Sequence, residues 1–247
     1  MGHQDPVKGA AFYALGVGAW RDYVTLLHIP YTLWHLSYVA IGAAMAPALH
    51  ADRLGWSLLA FFLALGIGAH ALDELGGRPL RTRIPRPVLL SLAAVSVAAA
   101  VGLGVVAAAT VTVTIVPFIL FGVFIVFAYN MELFGGRFHS DLWFALSWGA
   151  FPMLTGYWVN SQELNPAVLV VAAFCFVTSL AQRRLSSRAR WLRRRVDRVE
   201  GTVHLLGGGT QSLDRDSLLG VPEVTLKLLA LSMVLLAAGL VAWRLGV

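Results

Sequence analysis

One short stretch of the chain concentrates residues that can do acid–base or metal chemistry. The segment GIGAHALDELGGRPLRTRIPRP, residues 66–87, carries His70, Asp73 and Glu74 at the end of an apolar run. On a helix, residues three and four positions apart lie on one face, so this imidazole and these carboxylates are expected to lie close together. Carboxylates suit magnesium, whereas a mixed imidazole and carboxylate set suits zinc or iron. The spacing therefore predicts a catalytic or metal-binding site here.

The elements that hold these residues are predicted to be membrane helices. Hydrophobic residues make up 58% of the 247 residues and charged residues 13%. No Asp, Glu, Lys or Arg occurs between Arg86 and Glu132, and a membrane-spanning helix needs about 20 predominantly apolar residues. The composition therefore predicts an all-α polytopic membrane protein, which associates with membrane lipids.

Seven apolar segments are predicted to cross the membrane. They lie at 24–48, 54–75, 88–108, 111–130, 142–160, 166–182 and 222–243. We divide the chain into a helical bundle of spans one to six over residues 1–182, a basic amphipathic segment and loop over residues 183–221, and a last transmembrane helix over residues 222–247. Within the middle segment, LLGGGTQS is expected to be a flexible loop.

Arginine is distributed unevenly between the two sides of the predicted bundle. Nine arginines lie between residues 183 and 220, and four more follow the second span. Because cytoplasmic loops of membrane proteins retain Lys and Arg, this bias predicts a cytoplasmic N-terminus in a prokaryotic inner or plasma membrane. We therefore attribute the net charge of +6 to the topology of a membrane protein rather than to nucleic-acid binding. The arginines of residues 183–198 either anchor a helix on anionic lipid or face inward and bind a diphosphate.

Polar residues recur at the ends of three other spans, all on the predicted cytoplasmic side. Charged groups that border a bilayer are costly, so they usually face a bundle interior or a cavity and mark function. We expect these side chains to meet His70, Asp73 and Glu74 around a shared hollow; the alternative is that each one anchors its own helix at the interface. They are His28, His35, Asn130, Glu132, His139 and Asp141.

Three segments within residues 24–160 carry a resemblance to a known family. They read HIPYTLWHLSYVAIGAAMA, AHALDELGGRPLRTRIP and YNMELFGGRFHSDLWFALSWGAFPMLTGYW. With these motifs the chain resembles a divergent, shortened member of the UbiA superfamily, the intramembrane aromatic prenyltransferases and related terpene cyclases. The resemblance implies a UbiA-like bundle in which magnesium joins acidic motifs to a prenyl diphosphate, while the isoprenoid tail runs between the helices.

The resemblance also implies roles for individual residues. His70 and Glu74 take the places of the Asn and the first Asp in the family's first acidic motif, and Asp73 is an additional acid. The implied catalytic residues are Asp73, Glu74, Asn130 and Glu132, and the implied metal ligands are His70, Asp73, Glu74, Glu132 and His139. The implied substrate-binding residues are Arg78, Arg81, Arg83, Tyr129, Arg137 and Trp148.

The chain departs from the family pattern in two respects. Family members usually have nine spans rather than seven, and their second acidic motif follows the sixth span, where this chain reads SLAQRRLSSRARWLRRR. Either arginines replace one metal in holding the diphosphate, or the reaction differs.

Three hypotheses for the function follow. The first is an intramembrane enzyme of UbiA-like architecture that acts on an isoprenoid lipid by prenyl transfer or cyclisation, with magnesium as its cofactor. The second is an iron- or zinc-dependent membrane oxidase or hydrolase that uses the histidines and acids named above. The third is a non-catalytic lipid-binding or transport protein. A homo-oligomer is compatible with each of them.

Overall fold

The computed structural model describes residues 9–16 and 18–247 of the chain. Residues 1–8 and residue 17, which belong to the predicted bundle segment 1–182, lie outside this description. The helices are α1 Ala19–Leu26, α2 Ile29–Met45, α3 Ala51–Leu75, α4 Arg86–Thr110, α5 Val113–Asn130, α6 141–161, α7 Pro166–Arg195 and α8 Arg215–Leu245. Strands β1 Gly201–His204 and β2 Thr210–Leu213 pair antiparallel between α7 and α8.

Two of these helices contain a wider, π-helical turn. In α3 the π-helical stretch is Phe62–Ala69, between α-helical parts Ala51–Phe61 and His70–Leu75. In α6 it is Leu146–Ala150, between Asp141–Ala145 and Phe151–Ser161. Short 3₁₀ turns at Val113–Ile115 and Phe134–Gly136 lie at the start of α5 and in the α5–α6 connection.

The prediction of a helical membrane protein is confirmed. Among the described residues, five helices are long and apolar enough to cross a membrane, namely α3, α4, α5, α7 and α8. The other two predicted spans, 24–48 and 142–160, coincide with α1–α2 and with α6, but neither is among those five. The count of seven spans therefore stays a prediction.

Several element boundaries differ from those expected. The first predicted span is broken at His28, whose backbone is left-handed (φ 46°), so α1 and α2 are separate helices. Helix α7 continues past residue 182 to Arg195 because no Gly or Pro interrupts a run rich in good helix formers. The expected flexible loop LLGGGTQS is instead the tip and second strand of the hairpin, where Gly208 and Gly209 adopt positive φ.

Helix α2 lies at the centre of the bundle, against α6 and α8. A Cβ atom built on Gly42 would lie 2.0 Å from the carbonyl oxygen of Met153, and one on Gly156 would lie 2.2 Å from that of Val39. The backbones of α2 and α6 therefore touch, as small residues allow in membrane helix pairs.

The core divides into two apolar clusters. One joins α2, α6, α7 and α8 around Trp34, Tyr38, Met153 and Leu226. The other joins α3, α4, α5 and α6 around residues that include Leu65, Leu89, Ile125 and Trp148. Helix α6 contributes to both clusters and thereby connects the two halves of the bundle.

Candidate functional site

Two imidazoles meet where α2 begins and α3 ends. The rings of His28 and His70 stack with their centroids 3.9 Å apart and their planes 24° from parallel. His28 occupies the break between α1 and α2, and its buried Nε2 has no hydrogen-bond partner within residues 9–16 and 18–247. A left-handed backbone is uncommon outside glycine and often marks a functional position. The expected meeting of the first and second predicted spans is thus present.

Three other imidazole contacts fix where the ring hydrogens lie. In each case Nδ1 is within hydrogen-bond distance of a backbone carbonyl, which can only accept, so Nδ1 carries the hydrogen of a neutral ring and Nε2 keeps a lone pair. Each Nε2 can therefore accept a proton or bind a ligand. The pairs are His70 with Gly66 O at 3.1 Å, His35 with Trp148 O at 2.7 Å, and His139 with Tyr129 O at 3.0 Å.

Asp73 is the carboxylate of this region that remains available. It is half-buried at the end of α3 and interacts electrostatically with Arg190 and Arg194 of α7 and with His139. Within the described parts of the chain, its side chain accepts no hydrogen bond. Asp73 is therefore free to contact a substrate or a cation.

The carboxylate of the neighbouring acid, Glu74, accepts hydrogen bonds from the loop that follows α3. It is fully buried, and Oε2 accepts a hydrogen bond from the Leu80 backbone N–H at 2.9 Å. Its Oε1 accepts two more from Thr82, one from the backbone N–H and one from the hydroxyl, each at 2.8 Å. This carboxylate orders the α3–α4 loop and does not face the imidazoles.

The predicted arginines of the α3–α4 loop do not face the imidazoles either. The guanidinium of Arg78 donates to the carbonyl oxygens of Thr82 at 2.7 Å and of Ile84 at 3.0 Å. Arg81 and Arg83 are exposed, and the backbone N–H of Arg83 donates to Asp22 Oδ2 at 2.9 Å. Arg78 therefore orders the loop, while Arg81, although exposed, also interacts electrostatically with Arg194 of α7.

The α5–α6 connection places its predicted site residues in different surroundings. The Asn130 amide donates to the Val126 carbonyl of its own helix at 2.7 Å. Glu132 and Arg137 are exposed, and Glu132 has a left-handed backbone (φ 50°). Of this group, His139 is the residue that interacts electrostatically with Asp73.

Aromatic side chains lie beside the imidazoles. The Tyr129 ring stacks on His139 at a centroid distance of 4.4 Å and lies 4.6 Å from the Trp148 ring. The Tyr129 hydroxyl is buried and has no hydrogen-bond partner in the part of the chain that the structure describes, and it interacts electrostatically with Asp73 and Arg190. Tyr129 and Trp148, two of the substrate-binding residues that the resemblance implies, thus lie together, and their role in binding stays a prediction.

Sequence reasoning did not single out Arg190, Arg194, Tyr13 and Tyr31, which complete the region. The guanidinium groups of Arg190 and Arg194 interact electrostatically with both phenols. The arginine spacing carried a signal, because residues four apart share a helix face once α7 is known to continue to Arg195. The place of Tyr13 depends on how the segment before α1 folds back. We use the name polar chamber for the cluster of side chains formed by His28, His70, Asp73, Tyr13, Tyr31, Tyr129, Arg190 and Arg194.

The described residues contain no group of three or more His, Cys, Asp or Glu side chains that could hold a metal ion. Of the predicted ligands, His70, Asp73 and His139 lie at this end of the bundle, whereas Glu74 serves its loop and Glu132 is exposed. The prediction of magnesium, or of iron or zinc, stays a prediction.

An apolar cavity of about 460 Å³ lies between α3, α4, α5 and α6. Its lining includes Leu65, Val126 and Trp148 near the polar chamber, and Asp52 and Arg53 at the other end of α3. Because Trp148 also contacts Tyr129, these two aromatic rings separate the cavity from the polar chamber.

No family model, curated protein or solved structure matches the chain. The resemblance to the UbiA superfamily therefore rests on the three sequence motifs, and the function has to be argued from the site.

Proposed function

We propose that the protein is an intramembrane enzyme of UbiA-like architecture that acts on an isoprenoid or similar lipid by prenyl transfer or cyclisation. The observation that carries this proposal is the adjacency of an apolar cavity of about 460 Å³ and a charged chamber, with Trp148 and Tyr129 between them. Binding pockets for small molecules are typically about 300–1,000 Å³ and mostly apolar, with a few convergent polar groups. A lipid with a charged head needs both environments.

The proposed orientation puts the polar chamber at the cytoplasmic face of a prokaryotic inner or plasma membrane, in a bundle of seven spans. In support, the chamber lies at the same end of the bundle as the arginine-rich end of α7. Positive charge of this kind is retained on the cytoplasmic side.

In the proposed mechanism, Arg190 and Arg194 bind the negatively charged head of the substrate, since guanidinium groups suit oxyanions. The lone pairs on Nε2 of His70 and His139 accept a proton during the reaction. The faces of Tyr129 and Trp148 stabilise positive charge that develops on the lipid carbon.

A single protein carboxylate is compatible with magnesium, because this ion is often held by one or two carboxylates together with substrate phosphates and water. Asp73, which accepts no hydrogen bond from the described residues, fits that role. Magnesium bound there would neutralise the charge of a leaving diphosphate.

Turnover of an allylic prenyl diphosphate by the purified protein tests the proposal. We expect magnesium-dependent release of diphosphate, reduced at least 100-fold in Asp73→Asn. Asp197→Asn is the matched control, because Asp197 is exposed in the α7–β1 connection, and it is expected to retain full turnover. Equal rates in wild type and Asp73→Asn would overturn the assignment of Asp73.

A second candidate is a non-catalytic lipid-binding protein. It is favoured by the lack of a three-ligand metal group among the described residues. Under this reading, lipid co-purifies with the protein and no diphosphate is released. Ala107→Leu, in the cavity lining, should reduce the bound lipid measured by mass spectrometry, whereas Ala109→Leu, exposed on the same helix, should not.

A further inference from the structure

The apolar cavity between α3, α4, α5 and α6 has a polar rim at the end opposite the polar chamber, and the proposed function does not use this rim. The lining there includes Asp52, Arg53, Trp56 and Thr110. Asp52, Trp56 and Thr110 are also exposed, so the cavity reaches the surface of the protein at this end. We call this end of the cavity, which begins at Asp52 and Arg53, the far mouth.

The depth of the cavity matches the length of one lipid chain. Along α3 the lining extends from Arg53 to Leu65. At about 1.5 Å per residue, this part of the helix rises about 18 Å. One leaflet supplies half of the roughly 30 Å hydrocarbon core of a bilayer. A lipid chain that enters at the far mouth therefore extends as far as Trp148, which lines the inner end, and does not contact the polar chamber.

Small residues of α3 and α4 leave the space for such a chain. The lining includes Ala60 and Ala64 of α3, and Ala100, Gly104 and Ala107 of α4. Cavities with apolar walls stay dry and bind apolar guests. A hydrocarbon chain, rather than a column of water, is therefore the occupant that suits these walls.

The guanidinium of Arg53 is held across the far mouth. It donates from Nη1 to the carbonyl oxygen of Val159 in α6 at 3.0 Å, and Val159 also lines the cavity. An arginine that only anchors its helix extends its charged group into water or among head groups, whereas this one contacts the opposite wall. No ion pair joins Arg53 to an acid within residues 9–16 and 18–247. Its remaining N–H groups can therefore bind a phosphate.

Asp52 adds a negative charge to the same rim. In the part of the chain that the structure describes, its carboxylate forms no ion pair. A carboxylate accepts hydrogen bonds from a primary ammonium, whose three N–H groups all donate, but not from a choline group, which carries no N–H. The rim is thus complementary to a head group that has both a phosphate and a primary ammonium.

We propose that the cavity binds one chain of a phosphatidylethanolamine lipid that enters at the far mouth. The phosphate contacts Arg53, the ammonium contacts Asp52, and the chain lies between α3 and α4 as far as Trp148. In the orientation proposed above, this lipid belongs to the outer leaflet. The site needs no reaction in the polar chamber, although the bound chain and the tail of a substrate would compete for the same space.

Native mass spectrometry of the full, delipidated chain in maltoside micelles tests this proposal. Dioleoyl phosphatidylethanolamine, phosphatidylcholine and phosphatidylglycerol are titrated separately, and the dissociation constant of the first bound lipid is measured for each. We expect phosphatidylethanolamine to bind about fivefold more tightly than the other two, which is the effect of one partly exposed charge pair. Equal dissociation constants, or tighter binding of either other lipid, would overturn the proposal.

Two charge variants test the contacts of the head group. Asp52→Asn should remove the preference for phosphatidylethanolamine, and because Asp52 is exposed the protein should still fold. Arg53→Gln should weaken the binding of all three lipids about fivefold. Arg244→Gln is the matched control, since Arg244 contacts the α2–α3 connection outside the cavity lining, and it should bind lipid as the wild type does. An unchanged preference in Asp52→Asn would overturn the assignment of the ammonium.

A pair of alanine variants tests the position of the chain. Ala100→Leu fills part of the cavity and should weaken the binding of all three lipids by about fivefold or more. Ala99→Leu, exposed on the same helix, should not. Asp73→Asn should bind phosphatidylethanolamine as the wild type does even when turnover is lost, which separates this site from the proposed reaction. Undiminished binding in Ala100→Leu would overturn the proposal.

Discussion

At the scale of single residues, the neighbouring acids Asp73 and Glu74 differ in what they can do. Both were predicted as metal ligands from their position at the end of an apolar run. Asp73 interacts electrostatically with the arginines of α7 and accepts no hydrogen bond from the described residues, whereas both Glu74 oxygens accept hydrogen bonds from the loop that follows. The sequence could predict that an acidic site ends this helix. It could not predict which acid the loop would engage, because that depends on the path of the chain up to Thr82.

Glu74→Gln is expected to destabilise the protein by about 1–3 kcal/mol. The amide nitrogen would face backbone N–H groups in place of an acceptor, and a buried donor left without a partner costs about that much. The unfolding midpoint in detergent measures the change. Glu163→Gln, at an exposed position between α6 and α7, is the control, and a similarly small effect in both variants would contradict the structural role of Glu74.

Tyr129→Phe is expected to separate stability from activity. The hydroxyl is buried and finds no hydrogen-bond partner among the described residues, so its removal should leave stability unchanged or raise it by up to about 1 kcal/mol. If this hydroxyl contacts the substrate, turnover should fall at the same time. Unfolding midpoints and diphosphate release measured on the same preparation check both parts, and a clear loss of stability would show that the hydroxyl has a partner after all.

At the scale of helices, the number of long apolar elements could be predicted better than their ends. Apolar length is visible in the sequence, and it correctly located α3, α4, α5, α7 and α8. The break at His28 accompanies a tertiary contact, the stacking of its ring on His70, which the sequence does not reveal. The extension of α7 to Arg195 agrees with local helix propensity, and its last turn contacts Ala10 through Arg194 and Glu223 of α8 through Arg193.

The contact between α2 and α6 allows a sharp test of this packing. In Gly156→Ala the new methyl group would lie 2.2 Å from the Val39 carbonyl oxygen, so the two helices would have to move apart. Overpacking of this kind typically costs about 1–3 kcal/mol. Unfolding midpoints should therefore fall for Gly156→Ala and hold or rise for Gly239→Ala, because Gly239 of α8 has no neighbouring atom within 4 Å. Equal midpoints would show that α2 and α6 are not in backbone contact.

At the scale of the whole molecule, the sequence predicts a helical bundle and also which side of the membrane each end of the bundle faces. The arginine-rich end of α7, the polar chamber and the hairpin that follows are all predicted to be cytoplasmic, whereas the α6–α7 connection is predicted to lie outside. In the structure, ring stacking and electrostatic interactions join some of the residues predicted to meet, namely His28, His70, Asp73 and His139, at one end of the bundle. Which side of the membrane that end faces is decided when the chain inserts, and the fold alone does not specify it.

Cysteine labelling tests the sidedness directly. The native Cys175 is buried, so background reaction should be low. In intact cells, a membrane-impermeant maleimide should label Glu163→Cys but not Gly207→Cys, which lies at the exposed hairpin tip. Gly207→Cys should react once the membrane is opened. The reverse labelling pattern would invert the proposed orientation.

Close contacts between helices in this bundle are of two kinds, backbone against backbone and backbone against side chain. At Gly42 and Gly156 the backbones of α2 and α6 are in contact, so no other molecule fits between these two helices. Between α4 and α5, by contrast, the close neighbour of Gly104 is the end of the Ile119 side chain. Gly104 and Ile119 both line the apolar cavity, so the spacing of α4 and α5 along that lining depends on a side chain that can change rotamer rather than on backbone contact.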